Sequence, residues 1–171
     1  MNKIILGGIN LNKINKDLEE LTANILLNND MFKIPVDVIG IAKANDIKVF
    51  EASLDKKISG AIRYNSTTNN FEILVNKNDA KVRQRFTIAH EIGHFFLHQE
   101  MLKSDEIHVD IMYRMTNEQE KEVDYFAGAL LMNKTLLEKM KSEGNSISEL
   151  AELFDVSVSA MTVRLDILGL L

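Results

Sequence analysis

The sequence predicts an α+β fold with helix in the majority, and three features carry that prediction. Apolar residues recur at three- and four-residue spacing towards both ends of the chain. Between about residues 47 and 75 the period shortens to two, as in half-buried strands. Two later segments open with Thr or Ser followed three positions on by Gln or Glu, a pairing that satisfies the free N–H groups of a helix start.

Leu11, Ile14, Leu18, Leu21 and Ile25 share one face and predict an amphipathic helix. Pro35 is expected to open the next helix, where its missing N–H costs nothing, with Val38, Ile39 and Ala42 inward. Three strands follow, around Ile47 and Val49, around Ile58, Ile62 and Tyr64, and around Phe71, Ile73 and Val75. The polar run Asn65 to Asn70 reads as a hairpin loop, and a small antiparallel sheet is the expected product. Helical spacing returns from about Ala80 to Gln99, with Val82, Phe86, Ala89, Gly93 and Phe96 on one side. Residues 100–115 lack a helical period. Thr116 and Gln119 form a capping box for a helix to about Met132. Three short helices complete the chain, at about 134–143 ending at Gly144, 147–154 behind Ser146 and Glu149, and 158–168.

At 171 residues the chain is of single-domain size and large enough to bury a core without staples. It has no cysteine, which excludes disulfides, thiolate metal sites and a cysteine nucleophile. Its formal charge of −5 argues against a surface built for phosphate backbones. No apolar run approaches the ~20 residues of a membrane span. Met1 to Ile9 lacks the apolar length and cleavage site of a signal peptide, so a cytoplasmic protein is expected.

The helix at 80–99 contains His90-Glu-Ile-Gly-His94, an H-E-x-x-H pattern. Residues four apart lie one turn apart on one face, so both imidazoles can reach a single metal ion. Glu91, about 100° round the helix, is placed to take a proton from the attacking water rather than to ligate. The competing reading, two packing or surface histidines, leaves the glutamate at that offset unexplained.

Two imidazoles leave a catalytic zinc one protein ligand short. On the following helix, Asp124 falls about 40° from Glu120, Ala127 and Leu131 each lie within about 20° of Glu120, and Glu122 points nearly opposite. Two carboxylates on an apolar, inward stripe are costly unless a cation or donor satisfies them. Glu120 and Asp124 also match the Glu-x-x-x-Asp arrangement of thermolysin-like zincins, where the Asp accepts the first histidine's free N–H. The alternative is a solvated acidic face near a helix start, which the macrodipole also favours. His98, two turns beyond His90, is too distant to ligate and reads as a support for the site or as packing. His108 and Tyr113, in the irregular stretch, line the substrate site, assist the oxyanion, or do nothing.

Several segments together resemble the ImmA/IrrE family of metallo-endopeptidases. They are Pro35-Val-Asp-Val38; Arg83-Gln-Arg-Phe-Thr-Ile-Ala-His-Glu-Ile-Gly-His-Phe-Phe-Leu-His98; Phe126-Ala-Gly-Ala-Leu-Leu-Met132; and Leu150-Ala-Glu-Leu-Phe-Asp-Val-Ser-Val-Ser-Ala-Met161 with Arg164-Leu165 and Leu168-Gly169. The resemblance spans about residues 34–169. It implies a zincin-like fold with a helix-turn-helix-like C-terminal part, and the chain is accordingly divided into a zincin-like metallopeptidase domain, 1–132 with the N-terminal helix, and a C-terminal helical subdomain, 133–171, packed on it. It implies His90, His94 and Glu120 as metal ligands and Glu91 as general base. The family often has Ala-Asn where this chain has Val123-Asp124, and Pro where it has Asn133.

The resemblance further implies a zinc-dependent endopeptidase that cleaves a helix-turn-helix repressor, controlling a mobile element or a stress response. Manganese or iron would also suit two histidines and a carboxylate. The alternative is a non-catalytic partner, or a toxin–antitoxin component, that binds and inhibits a regulator. Residues 146–171 carry only Arg164 against Glu149, Glu152, Asp155 and Asp166, net −3, so direct nucleic-acid binding is not expected.

Overall fold

The computed structural model describes residues 5–6, 9–104 and 115–171. The chain is α+β: a short β1–β2 ribbon (Ile5–Leu6, Ile9–Asn10) precedes helix α1 (Leu11–Asn28). Leu18, Ile25 and Leu26 of α1 are buried, as the helical spacing requires. Helix α2 (Val38–Ala44) begins three residues after Pro35. Pro35 therefore does not open it. Asp37 does, accepting the Gly40 N–H on its side chain, a cap that proline cannot supply. With the start shifted, Val38, Ile41 and Ala42 face inward and Ile39 is exposed, contrary to expectation.

Strands β3 (Ile47–Ala52), β4 (Gly60–Asn65) and β5 (Asn70–Asn76) form one sheet in the order β3-β5-β4. Ile58 lies before β4 rather than in it. The β4–β5 pair is antiparallel, closed by a turn in which the Asn65 side chain accepts the Thr67 and Thr68 N–H groups. The sheet as a whole is mixed, not antiparallel, because β3 runs parallel to β5 with Val49 opposite Ile73. Alternation specifies which face a strand buries, not its direction. The hairpin takes one edge of β5, so β3 occupies the other. The strand left in the centre is the most enclosed, with Phe71, Glu72, Ile73, Val75 and Asn76 all buried.

Helix α3 (Lys81–Ser104) runs beyond the expected end near Gln99, through a break in helical geometry at His98 (φ −128°, ψ 21°). Helix α4 (Asn117–Leu131) starts at the expected Thr116–Gln119 capping box. It packs against α3 on one side and α1 on another, so Val123, Phe126, Ala127, Ala129, Leu130 and Leu131 are all buried. Helices α5 (Lys134–Ser142), α6 (Ile147–Phe154) and α7 (Val158–Leu168) follow, with Ser146 and Glu149 boxing the start of α6.

Arg164 of α7 is 2% exposed. Its guanidinium meets the Glu19 carboxylate of α1 at 2.7 and 2.9 Å and donates to the Met132 carbonyl at 3.1 Å. Tyr125 of α4 donates its hydroxyl to Glu19 at 2.9 Å, and burial together with that carboxylate pushes the phenol up to about 12. One ion cluster thus joins α1, α4 and α7. Among the described residues, no helix is long and apolar enough to cross a membrane.

Candidate metal centre

His90 and His94 stand one turn apart on α3, and Glu120 reaches them from the first turn of α4. The two Nε2 atoms are 3.1 Å apart; Glu120 Oε2 lies 3.3 Å from His90 Nε2, and Glu120 Oε1 lies 3.6 Å from His94 Nε2. These separations bracket roughly 3.3 Å, the edge of a tetrahedron with metal–ligand bonds of about 2.0–2.1 Å. Protonation sharpens the point. His90 donates Nδ1–H to Asp124 Oδ1 at 2.9 Å, which leaves a lone pair on its Nε2. His94 is held down at about 3 by burial and by His90 and His98, so it is neutral. Its Nδ1 lies 3.1 Å from His98 Nδ1, and a proton donated there leaves the His94 Nε2 lone pair facing the first one. Two lone pairs and a carboxylate converging on one point repel each other unless a metal ion or a proton lies between them. Among the described residues, His90, His94 and Glu120 are the group of ligand atoms close enough to share an ion, and the set fits zinc, manganese or iron.

Burial opposes a cationic His90, but the Asp124 hydrogen bond and the charges of Glu91, Asp124 and Glu120 outweigh it and raise its pKa. Asp124 is largely exposed, so its contribution is an orienting hydrogen bond rather than a buried charge. Asp124→Ala is expected to weaken zinc binding about tenfold, the low end for losing a partner behind a ligand histidine. A competition titration with a chromophoric chelator measures it, and unchanged affinity would remove Asp124 from the site.

His98, one turn beyond His94, supports the second imidazole as Asp124 supports the first, and it does not reach the ligand cluster. Glu122, expected to point away, places Oε2 3.8 Å from His98 Nε2. The flank of α4 opposite Glu120 lies against this later turn of α3, a relation visible only after the helices pack.

Glu91 is 6% exposed. Burial pushes its carboxyl up to about 7, with Glu120 adding to the rise while His90 and the Ile62 backbone oppose it. It does not join the ligand set, and faces β4. A methyl built on Gly60 would lie 3.8 Å from Glu91 Oε1, but only 2.4 Å from Thr87 Cγ2 and 2.7 Å from the Leu74 carbonyl. Gly60 therefore lets this edge strand press against α3 beside the glutamate. Gly93 does the same for α4: a methyl there would meet Val123 and Phe126 at 2.8 and 2.9 Å. That close approach sets how near Glu120 comes to the imidazoles.

An open cleft of about 850 Å³ begins at His90, Glu91, Glu120 and Asp124 and extends to α7. Nothing in the sequence places α7 beside the candidate ligands; the packing of α7 against α4 brings it there. His108 and Tyr113 lie outside the described residues.

Residues 42–166 match the family model Peptidase_M78, described as an IrrE N-terminal-like domain. Among curated proteins there is no match. A solved structure described as a Mycobacterium tuberculosis transcriptional regulator superposes with a TM-score of 0.65 at 18% identity, over 91% of this chain and 48% of that one. The chain thus spans about half the length of that protein, and the likeness is one of fold.

Proposed function

The chain belongs to the Peptidase_M78 family of IrrE N-terminal-like domains, and from that premise we propose that it is a zinc-dependent endopeptidase acting on a cytoplasmic protein, a helix-turn-helix repressor. The observation that carries the reading is the convergence of the His90, His94 and Glu120 ligand atoms with a buried, unligated Glu91 beside them. A divalent cation held by that trio supplies Lewis-acid polarisation of the scissile carbonyl and makes a water more acidic. The chain's own residues do the rest. Asp124 accepts the His90 Nδ1–H, and His98 Nδ1 is placed to accept the His94 Nδ1–H, an arrangement in which each imidazole would offer its Nε2 lone pair as a ligand. Glu91, near 7, is matched to take a proton from the attacking water and return it to the leaving amine. The new C–O bond and the broken C–N bond balance with one proton moved from water to nitrogen. The description of the solved relative as a transcriptional regulator is in keeping with a substrate in gene control.

The test incubates zinc-loaded protein with purified helix-turn-helix repressors, beginning with any encoded beside it, and reads products by intact mass. Two fragments whose masses sum to the repressor plus one water, absent with a chelator, support hydrolysis. A stoichiometric complex with intact repressor supports inhibition by binding instead.

A further inference from the structure

The geometry points to a particular substrate segment, one with apolar side chains seated on α7 and acidic residues on either side of them. This rests on the proposed endopeptidase reading and gives it a specificity. The cleft that starts at the metal ligands ends on α7, the second helix of a helix-turn-helix-like pair. The stripe that α7 presents there is Ala160, Val163 and Ile167, spaced three and four residues apart so that all fall on one face. Val163 and Ile167 are 58% and 49% exposed. Large apolar side chains paired on one helix and facing an active-site cleft mark a surface that another chain covers.

Charge identifies the rest of the occupant. The carboxylates that line the cleft are already committed: Glu120 and Asp124 to the imidazoles, and Glu91 buried beneath them. The cations on its rim are not. Lys57 and Lys121 are exposed with no ion-pair partner among the described residues, and Arg83 is exposed with only a 3.2 Å hydrogen bond to Ser59. In a chain of net charge −5, a cleft rimmed by three cations without ion-pair partners among the described residues is complementary to an acidic segment and repels a basic one. The occupant that meets both features is a polypeptide with a leucine- or isoleucine-like pair between acidic residues.

The test measures binding separately from cutting. Three fluorescein-labelled decapeptides are titrated by anisotropy into the zinc-loaded Glu91→Gln variant: two central leucines between acidic residues, the same leucines between lysines, and two central serines between acidic residues. The acidic-leucine peptide is expected to bind at least about tenfold tighter than either other, with the advantage over the lysine peptide shrinking as salt screens the rim. Val163→Asp and Ile167→Asp should each erase the preference for leucine over serine. Lys57→Glu combined with Arg83→Glu should reverse the preference between acidic and basic flanks. Val163→Ser, milder at an exposed position, checks that the loss is not misfolding, with zinc content as the control. Equal binding of the three peptides, no binding of any, or a leucine preference that survives Val163→Asp would overturn the inference. Wild-type protein given the same peptides separates the two readings. Selective binding without cleavage contradicts the endopeptidase while this inference stands, and cleavage without selectivity does the reverse.

Discussion

Glu91→Gln is expected to lower kcat for substrate cleavage by about 10²–10⁴, the usual contribution of a positioned general acid–base group. The amide is the same size as the carboxyl but cannot accept the water's proton, so KM and zinc content should stay near wild type. Folding should not suffer either. Glu91 is buried, and burial has already pushed its carboxyl up to about 7, so a neutral replacement relieves the cost of holding charge there. Steady-state kinetics on an identified substrate, with zinc measured on the same samples, separates these quantities. A Gln variant that cuts at the wild-type rate would assign the proton transfer to another group.

The second large effect concerns stability and lies away from the metal. Arg164→Met is expected to cost about 3–5 kcal/mol, because it leaves the Glu19 carboxylate without its cation. The Met132 carbonyl and the α7–α1 connection lose their partner in the same step. For a chain of this size that corresponds to a fall in Tm of about 6–20 °C, read by circular dichroism. Removing both charges, as in Arg164→Met with Glu19→Leu, should recover much of the loss, since no uncompensated ion remains. A single variant within about 1 kcal/mol of wild type would show that the cluster does not tie the C-terminal helices to the rest. Because α7 forms a wall of the cleft, the same variant should also blur any preference for apolar substrate residues.

Most of the helices and the ligand cluster were legible from local signals. The capping boxes at Thr116 and Ser146 gave two helix starts, since each is written within four residues. The spacing of His90 and His94 put both imidazoles on one face, and the wheel singled out Glu120 and Asp124, which the structure brings to the histidines. What local reasoning lacked was packing. Nothing in the alternation at Ile47 and Val49 says which edge of β5 the strand takes, and its parallel direction follows from the hairpin having occupied the other. Pro35 was a plausible start for α2, but the side chain of Asp37 sets it. The break at His98 falls beside the helix end expected near Gln99; what local spacing does not show is that the helix resumes to Ser104 and that the His98 imidazole meets His94. Likewise, no local signal singles out Val163 and Ile167, and only the placement of α7 shows them exposed in the cleft.

Whether one divalent ion sits among His90, His94 and Glu120 is decided most directly by calorimetric titration of zinc into metal-free protein, run beside His94→Ala and Glu120→Ala. Wild type should take up one ion per chain with a Kd at or below about 1 μM, and each variant should lose at least about a hundredfold in affinity. No saturable uptake by wild type, or uptake that both variants retain, would contradict the site.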